Sequence, residues 1–228
     1  QIGAEGPGIG PALAKSAACA SQGLYGEARL SAHAALSAAQ RMRNRDRADA
    51  MHALADVEHR AGEYAQAAAL WQLAMSMRRS CLREGHPETG CTADGFAHSL
   101  RRLGQPDMAI RLHREALGIY AGSLDPGHPA ISSSRHGLAQ SLHRTGRHEE
   151  ARAQLEKATE SAAVRLGEDH PDTWTSRFEL GRIELHCGDP QRGMLRMETA
   201  RLRVAKLLGE NHPTVKAMDR WRQGAARP

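Results

Sequence analysis

Small apolar residues fall on helical spacing along almost the whole chain. In HPAISSSRHGLAQSLHRTGRHEEARAQLEKATESAAVRLGED, residues 128–169, one stripe is formed by Leu138, Ala139 and Leu142 and a second by Ala151, Leu155, Ala158 and Ala162. This is the recurrence expected of buried helix faces. Pro129 suits a first helical position, where its missing N–H would be unpaired anyway. The residue before a proline is pushed out of the α region, so His128 belongs to the junction. Gly146 separates the stripes and ends the first helix, because glycine enters the left-handed conformation of a helix end most easily. The pattern therefore predicts a first helix from Pro129, a turn at Gly146 and a second helix over 148–166. The alanines let neighbouring helices approach closely. Neither helix can bury its stripe alone, so an antiparallel pair must stack on further copies.

Those copies are present. His86, His128, His170 and His212 recur every 42 residues, each followed by proline, in REGHPET, DPGHPAI, RLGEDHPDT and GENHPTV. Gly62, Gly104, Gly146 and Gly188 keep the same spacing, as do Ala67, Ala109, Ala151 and Gly193, and Ala74, Ala116, Ala158 and Ala200. A leucine precedes each His-Pro by four residues: Leu82, Leu124, Leu166 and Leu208. An earlier copy surrounds GLYGEA, where Gly23, Ala28 and Ala35 repeat the Gly–Ala–Ala spacing 39 residues ahead of Gly62. Four histidines binding one metal would have to converge on it. Stacked helix pairs displace them by on the order of 10 Å per layer. The His-Pro pairs read as punctuation between repeats.

Composition agrees with packed helices. Aromatic residues make up 4% of the 228 residues against 40% hydrophobic residues overall, a poor match to the aromatic and β-branched strands of a β-sandwich. The net charge of +5 favours acidic partners without naming one. Cys19, Cys81, Cys91 and Cys187 form no CxxC, which argues against a zinc site. They read either as small buried side chains or, for Cys81 and Cys91 near one junction, as a pair that could meet in an oxidising compartment. No apolar run approaches the roughly 18 residues of a membrane span and no leader is visible, so no membrane insertion and a cytoplasmic location are expected. The chain opens with Gln1 rather than Met, as a mature form or a piece of a longer protein would.

Paired helices with glycine at the turn and alanines seven apart resemble tetratricopeptide repeats. The 42-residue period with LGxxHPxT between copies is similar to the kinesin-light-chain type, here expected from a bacterium, over about residues 10–222. The resemblance implies an all-α fold: a right-handed α-solenoid of about five antiparallel helix pairs plus a C-terminal closing helix, one repeat domain spanning residues 1–228. The repeats fall at about 10–43, 44–85, 86–127, 128–169 and 170–211, with the closing helix over 213–222. It also implies a concave groove lined by the first helices. That face comprises His52, Asp56, His59 and Arg60, then Asp94, His98, Arg101 and Arg102, then His136, Gln140, His143 and Arg144, and finally Phe178, Arg182 and His186. Five arginines oppose two aspartates there, with six histidines that add charge in mild acid.

The sequence also departs from the family it resembles. Kinesin light chains carry paired asparagines in NNLA on the first helix, whereas the matching tetrads here are HALA, DGFA, HGLA and FELG. The fold carries over and the peptide-binding mode does not. Phe178 reads either as a specificity pocket or as packing against Trp174. Trp71 aligns with Leu155 and Met197 in the second-helix core, and Trp221 on the closing helix is expected to seal the last repeat. No catalytic set, cofactor motif or metal-ligand set is recognisable: there is no HExxH, no Gly-rich phosphate loop and no nucleophile paired with a base.

The expected function is thus a non-enzymatic interaction module. It binds a protein or peptide segment, acidic in character, and could be the regulatory region of a larger signalling protein. The alternative is a nucleic-acid-binding repeat protein, disfavoured by the scarcity of aromatic stacking partners. The glycine-rich start QIGAEGPGIGPALAK caps its end poorly, leaving homo-oligomers through the solenoid ends as a further expectation.

Overall fold

The computed structural model describes residues 9–40 and 43–225, which form eleven α-helices and no strand. They are α1 (Gly10–Ser21), α2 (Tyr25–Ala39), α3 (Asn44–Ala61), α4 (Tyr64–Cys81), α5 (Pro87–Arg102), α6 (Pro106–Ser123), α7 (Pro129–Arg144), α8 (His148–Leu166), α9 (Pro171–Glu184), α10 (Pro190–Leu208) and α11 (Pro213–Ala225). Successive odd and even helices pair as antiparallel hairpins, five in all, and α11 follows the last. The hairpins fall into two compact units, divided between Leu124 and Asp125. The first holds three hairpins, and the second holds two hairpins and α11. The segment before Ile9, which carries most of the glycine-rich start, lies outside the described residues.

The turn glycines close their helices as the spacing predicts. Gly23, Gly62, Gly104 and Gly146 have φ of 76°, 90°, 78° and 77°. At each one the following residue's N–H bonds a carbonyl five residues back, as Glu63 does to Glu58 at 2.9 Å and Arg147 to Leu142 at 2.9 Å. The glycine's own N–H bonds three residues back, so two of the orphan carbonyls of the helix end are satisfied.

The repeated histidines have a local job. His86, His128 and His170 are the N-cap residues of α5, α7 and α9, and Nδ1 of each accepts the N–H of Glu88, Ala130 or Asp172 at 3.2, 3.2 and 3.1 Å. His212 does the same for Thr214 at 3.3 Å, just before Pro213 opens α11. Proline at the next position needs no partner, and the histidine satisfies the first N–H that does. Such a cap contributes about 1 kcal/mol.

Packing follows the alanine columns. Ala28, Ala67, Ala109 and Ala151, and likewise Ala35, Ala74 and Ala116, are wholly buried. Trp71 is buried beside Ala55 and Ala67, and its indole fills the space that Gly95 leaves open on α5. In the second unit Phe178, Met197, Ala200, Val204, Val215 and Met218 form one core, against which Trp174 and Trp221 pack. All four cysteines are free; Cys19 is buried, but Cys81 and Cys91 are exposed, which corrects the reading of all four as buried side chains. Among the described residues no helix is long and apolar enough to cross a membrane.

Candidate functional site

The first-helix polar residues are distributed over both units, α3 and α5 in one and α7 and α9 in the other. In the first unit they are tied into the hairpins beneath them. His52 stands edge-on to Trp71, with ring centroids 4.4 Å apart, and its Nδ1 lies 3.2 Å from the Arg78 guanidinium. Asp56 accepts a hydrogen bond from Arg60 at 2.8 Å on the same helix. His59 Nδ1 lies 2.9 Å from the Ser99 hydroxyl, linking α3 to α5. Arg102 lies over the Tyr64 ring at 4.7 Å.

Asp94 behaves differently from a surface acid. Its side chain is 13% exposed, and Oδ1 accepts a 2.7 Å hydrogen bond from Nδ1 of His113, which is wholly buried on α6. Its other oxygen lies 3.6 Å from Nε2 of His98, one turn further along α5. Burial alone would raise the Asp94 pKa, but the hydrogen bonds from His113 and His98 hold it well below the usual carboxylate range. Burial lowers the His113 pKa against the pull of Asp94. A carboxylate only accepts, so Nδ1 of the neutral ring carries the proton and Nε2 keeps a lone pair.

His113 lies outside the expected first-helix face, on the second helix of its hairpin. It did leave a signal in the sequence. Its column in the 42-residue register holds Trp71, His113, Leu155 and Met197, one imidazole among three large apolar side chains. In the other repeats where the contact is described, the first-helix residue packs on the same column: His52 against Trp71 and Phe178 in one core with Met197. The third repeat replaces this contact with a buried Asp–His hydrogen bond.

The second unit gathers another histidine cluster. His143 and His186 from the expected face have ring centroids 4.8 Å apart, and His148, from the start of α8, joins them with Nδ1 3.0 Å from that of His143. His136 and Gln140 are half-buried on α7, and Arg144 is exposed. Arg182 pairs with Glu179 at 2.7 Å and lies over the Trp221 ring at 4.7 Å. Phe178 is 4% exposed, in the core with Trp174 beside it and its ring edge-on to Trp221. The packing reading of Phe178 therefore holds, and its place on a ligand face is corrected: the aromatic ring gains more from burial against α10 and α11 than a solvent-facing position offers. A mostly apolar cavity of about 560 Å³ lies among Phe178, Leu185, Met197, Met218 and Trp221, where α11 covers α9 and α10.

Burial and the charge of Arg78 push His52 down to about 3, and burial beside His186 and His148 pushes His143 down to about 4. Unfolded, both rings titrate near 6.5. Between these values the unfolded chain binds more protons, so stability present at neutral pH falls as the pH drops through that window. Urea unfolding is expected to show a loss of about 2 kcal/mol from His52 between roughly pH 7 and pH 4.5. His52→Phe should flatten this dependence; an unchanged pH profile in that variant would contradict the assignment.

The sequence profile of the tetratricopeptide-repeat family matches residues 46–122, 88–163 and 130–192, together more than half the chain. A crystal structure of a putative kinesin light chain with nearly identical TPR-like repeats from Podosopora anserina is 24% identical, with a TM-score of 0.74 over 88% of this chain and 96% of that one. BtubC (BKLC) from P. vanneervenii is 16% identical, with a TM-score of 0.61 over 98% and 94%. MamA from Desulfovibrio magneticus RS-1 is 13% identical, with a TM-score of 0.64 over 90% and 99%. At these identities the likeness is one of fold. No curated protein sequence matches the chain. Stacked helix pairs of this kind serve as non-catalytic scaffolds that present extended surfaces to other proteins. The profile match and the hairpin architecture agree: the chain belongs to the tetratricopeptide-repeat family.

Proposed function

We propose that this chain binds an acidic segment of another protein, or of its own longer polypeptide, on the faces of its first helices. The inward turn of Asp94 carries this reading. With the Asp94 carboxylate turned to His113 and His98, α5 presents an exposed Arg102 at its end. Arg102 is already laid on Tyr64, so less side-chain freedom is lost when it meets a carboxylate. In the second unit Arg144 is the corresponding exposed cation, beside the half-buried His143. Arginine suits this task because its planar fork donates two parallel charge-assisted hydrogen bonds to a carboxylate.

The test is fluorescence anisotropy of the full chain against acidic, Trp-acidic, basic and neutral peptide sets, with Arg101→Glu/Arg144→Glu in parallel. Saturable binding of an acidic set, weakened at least about tenfold by the double variant, is the expected result. Non-selective binding, or binding untouched by the variant, would overturn the reading. So would preference for nucleic acid with a steep loss of affinity on adding salt.

A further inference from the structure

The pair formed by Asp94 and His113 is costly for a purely structural contact. Its column is served elsewhere by Trp71, Leu155 and Met197, side chains that gain from burial without a polar group to satisfy. His113 is wholly buried, and its Nε2 has no hydrogen-bond partner among the described residues. A buried polar atom of that kind calls for a physical explanation. His98 supplies a second imidazole. It lies one turn along α5 from Asp94, the spacing that puts two side chains on one helix face, and its ring is 4.9 Å from that of His113. One ligand atom from each of Asp94, His98 and His113 can be chosen so that all lie within 4.8 Å of one another. Ligands bonded to an ion at about 2.0–2.2 Å sit no more than ~4.4 Å apart, so closing the set requires Asp94 to give up its hydrogen bond from His113 Nδ1 and turn toward the ion.

We propose that Asp94, His98 and His113 form a binding site for one divalent transition-metal ion, clamped between α5 and α6 of the first unit. Two imidazoles and a carboxylate suit ions of intermediate softness such as Zn²⁺, Co²⁺ or Ni²⁺ and disfavour Mg²⁺ and Ca²⁺, which take oxygen. His98 is 27% exposed and gives the ion its path from solvent, while His113 is fixed from below by the hairpin core. Three protein ligands leave a coordination position for water or for a group from outside the chain. The site draws its ligands from both helices of one hairpin, so occupancy stabilises the folded unit by mass action. The other histidine cluster, in the second unit, is a less suitable host. Two of its rings are joined through Nδ1 atoms 3.0 Å apart, and among the described residues no carboxylate completes a comparably close set.

The experiment uses the full chain without an affinity tag, treated with a chelator and titrated with Co²⁺. Visible absorption and melting temperature are followed, and Zn²⁺ is then added as competitor. Saturation at one ion per chain is expected, with ligand-field bands that Zn²⁺ abolishes and a raised melting temperature. His98→Ala should weaken binding by about tenfold or more while leaving the metal-free melt close to that of the parent. Asp94→Asn, which keeps the shape of the side chain, should weaken it as well. No saturable uptake, or uptake unchanged in both variants, would overturn the proposal. Loss of uptake only in His143→Ala/His148→Ala would also overturn it, because the ion would then belong to the second cluster.

Discussion

Replacing Gly193 with leucine is expected to separate α9 from α10 and lower the melting temperature of the second unit by roughly 10 °C or more. Gly181 and Gly193 meet where these helices cross. A Cβ on Gly193 would lie 2.7 Å from the Gly181 carbonyl oxygen and 3.0 Å from the Leu185 nitrogen. A Cβ on Gly181 would lie 2.8 Å from the Gly193 carbonyl oxygen. Both obstacles are backbone, so no side-chain rotation relieves them. The earlier repeats place alanines in these two columns, Ala55 with Ala67, Ala97 with Ala109 and Ala139 with Ala151, all wholly buried. The last hairpin is therefore packed more closely than an alanine pair allows. Even Gly193→Ala should destabilise by about 1–3 kcal/mol through overpacking, despite the roughly 1 kcal/mol that alanine adds to helix propensity. Thermal melts followed by circular dichroism check both substitutions, and a Gly193→Leu variant melting like the parent would rule out the close contact.

Arg78→Ala is expected to cost the first unit about 3 kcal/mol or more, because it strands polar groups on two other helices. The Arg78 side chain is 5% exposed. Its guanidinium donates to Asp49 Oδ1 on α3 at 2.7 Å, to the Glu88 carbonyl at 2.7 Å and to the Thr92 hydroxyl on α5 at 2.5 Å. One side chain on α4 thus fastens a hairpin to its own partner helix and to the next hairpin. Its register shows how local this device is: the column reads Arg78, Tyr120, Ala162 and Val204. Breaking a buried pair leaves a charge uncompensated, whereas removing both partners does not. Asp49→Ala/Arg78→Met should therefore be less destabilised in urea unfolding than Arg78→Ala alone. A double variant at least as unstable as the single one would show that the ion pair is not what holds the helices.

Much of this architecture was legible in the sequence, because it rests on local rules repeated in register. Proline at a first helical position, glycine in the left-handed region and alanine every seven residues each act within one or two turns of helix. The predicted second helix over 148–166 and the first helix from Pro129 match α8 and α7 for that reason. The closing helix begins at Pro213 as predicted and runs to Ala225. The role of His86, His128, His170 and His212 as junction residues was legible too, although not their use of Nδ1 to cap the helix two residues on.

Contacts between helices decide the rest. Asp94 looks like a groove residue in the sequence, yet His113, 19 positions later on the facing helix, draws it inward. Phe178 occupies the equivalent first-helix column and is drawn into the apolar core by Met197, Trp174 and Trp221. Whether a first-helix side chain faces a ligand or its own hairpin depends on the residue opposite, and periodicity within one helix carries no information about that pairing. The sequence by itself determined the helices, their ends and their pairing into hairpins, since those follow from backbone conformation and small-residue spacing. Only the tertiary structure decided which polar residues remain for a partner, because burying an imidazole or a carboxylate is tolerable only where a neighbouring helix supplies its match.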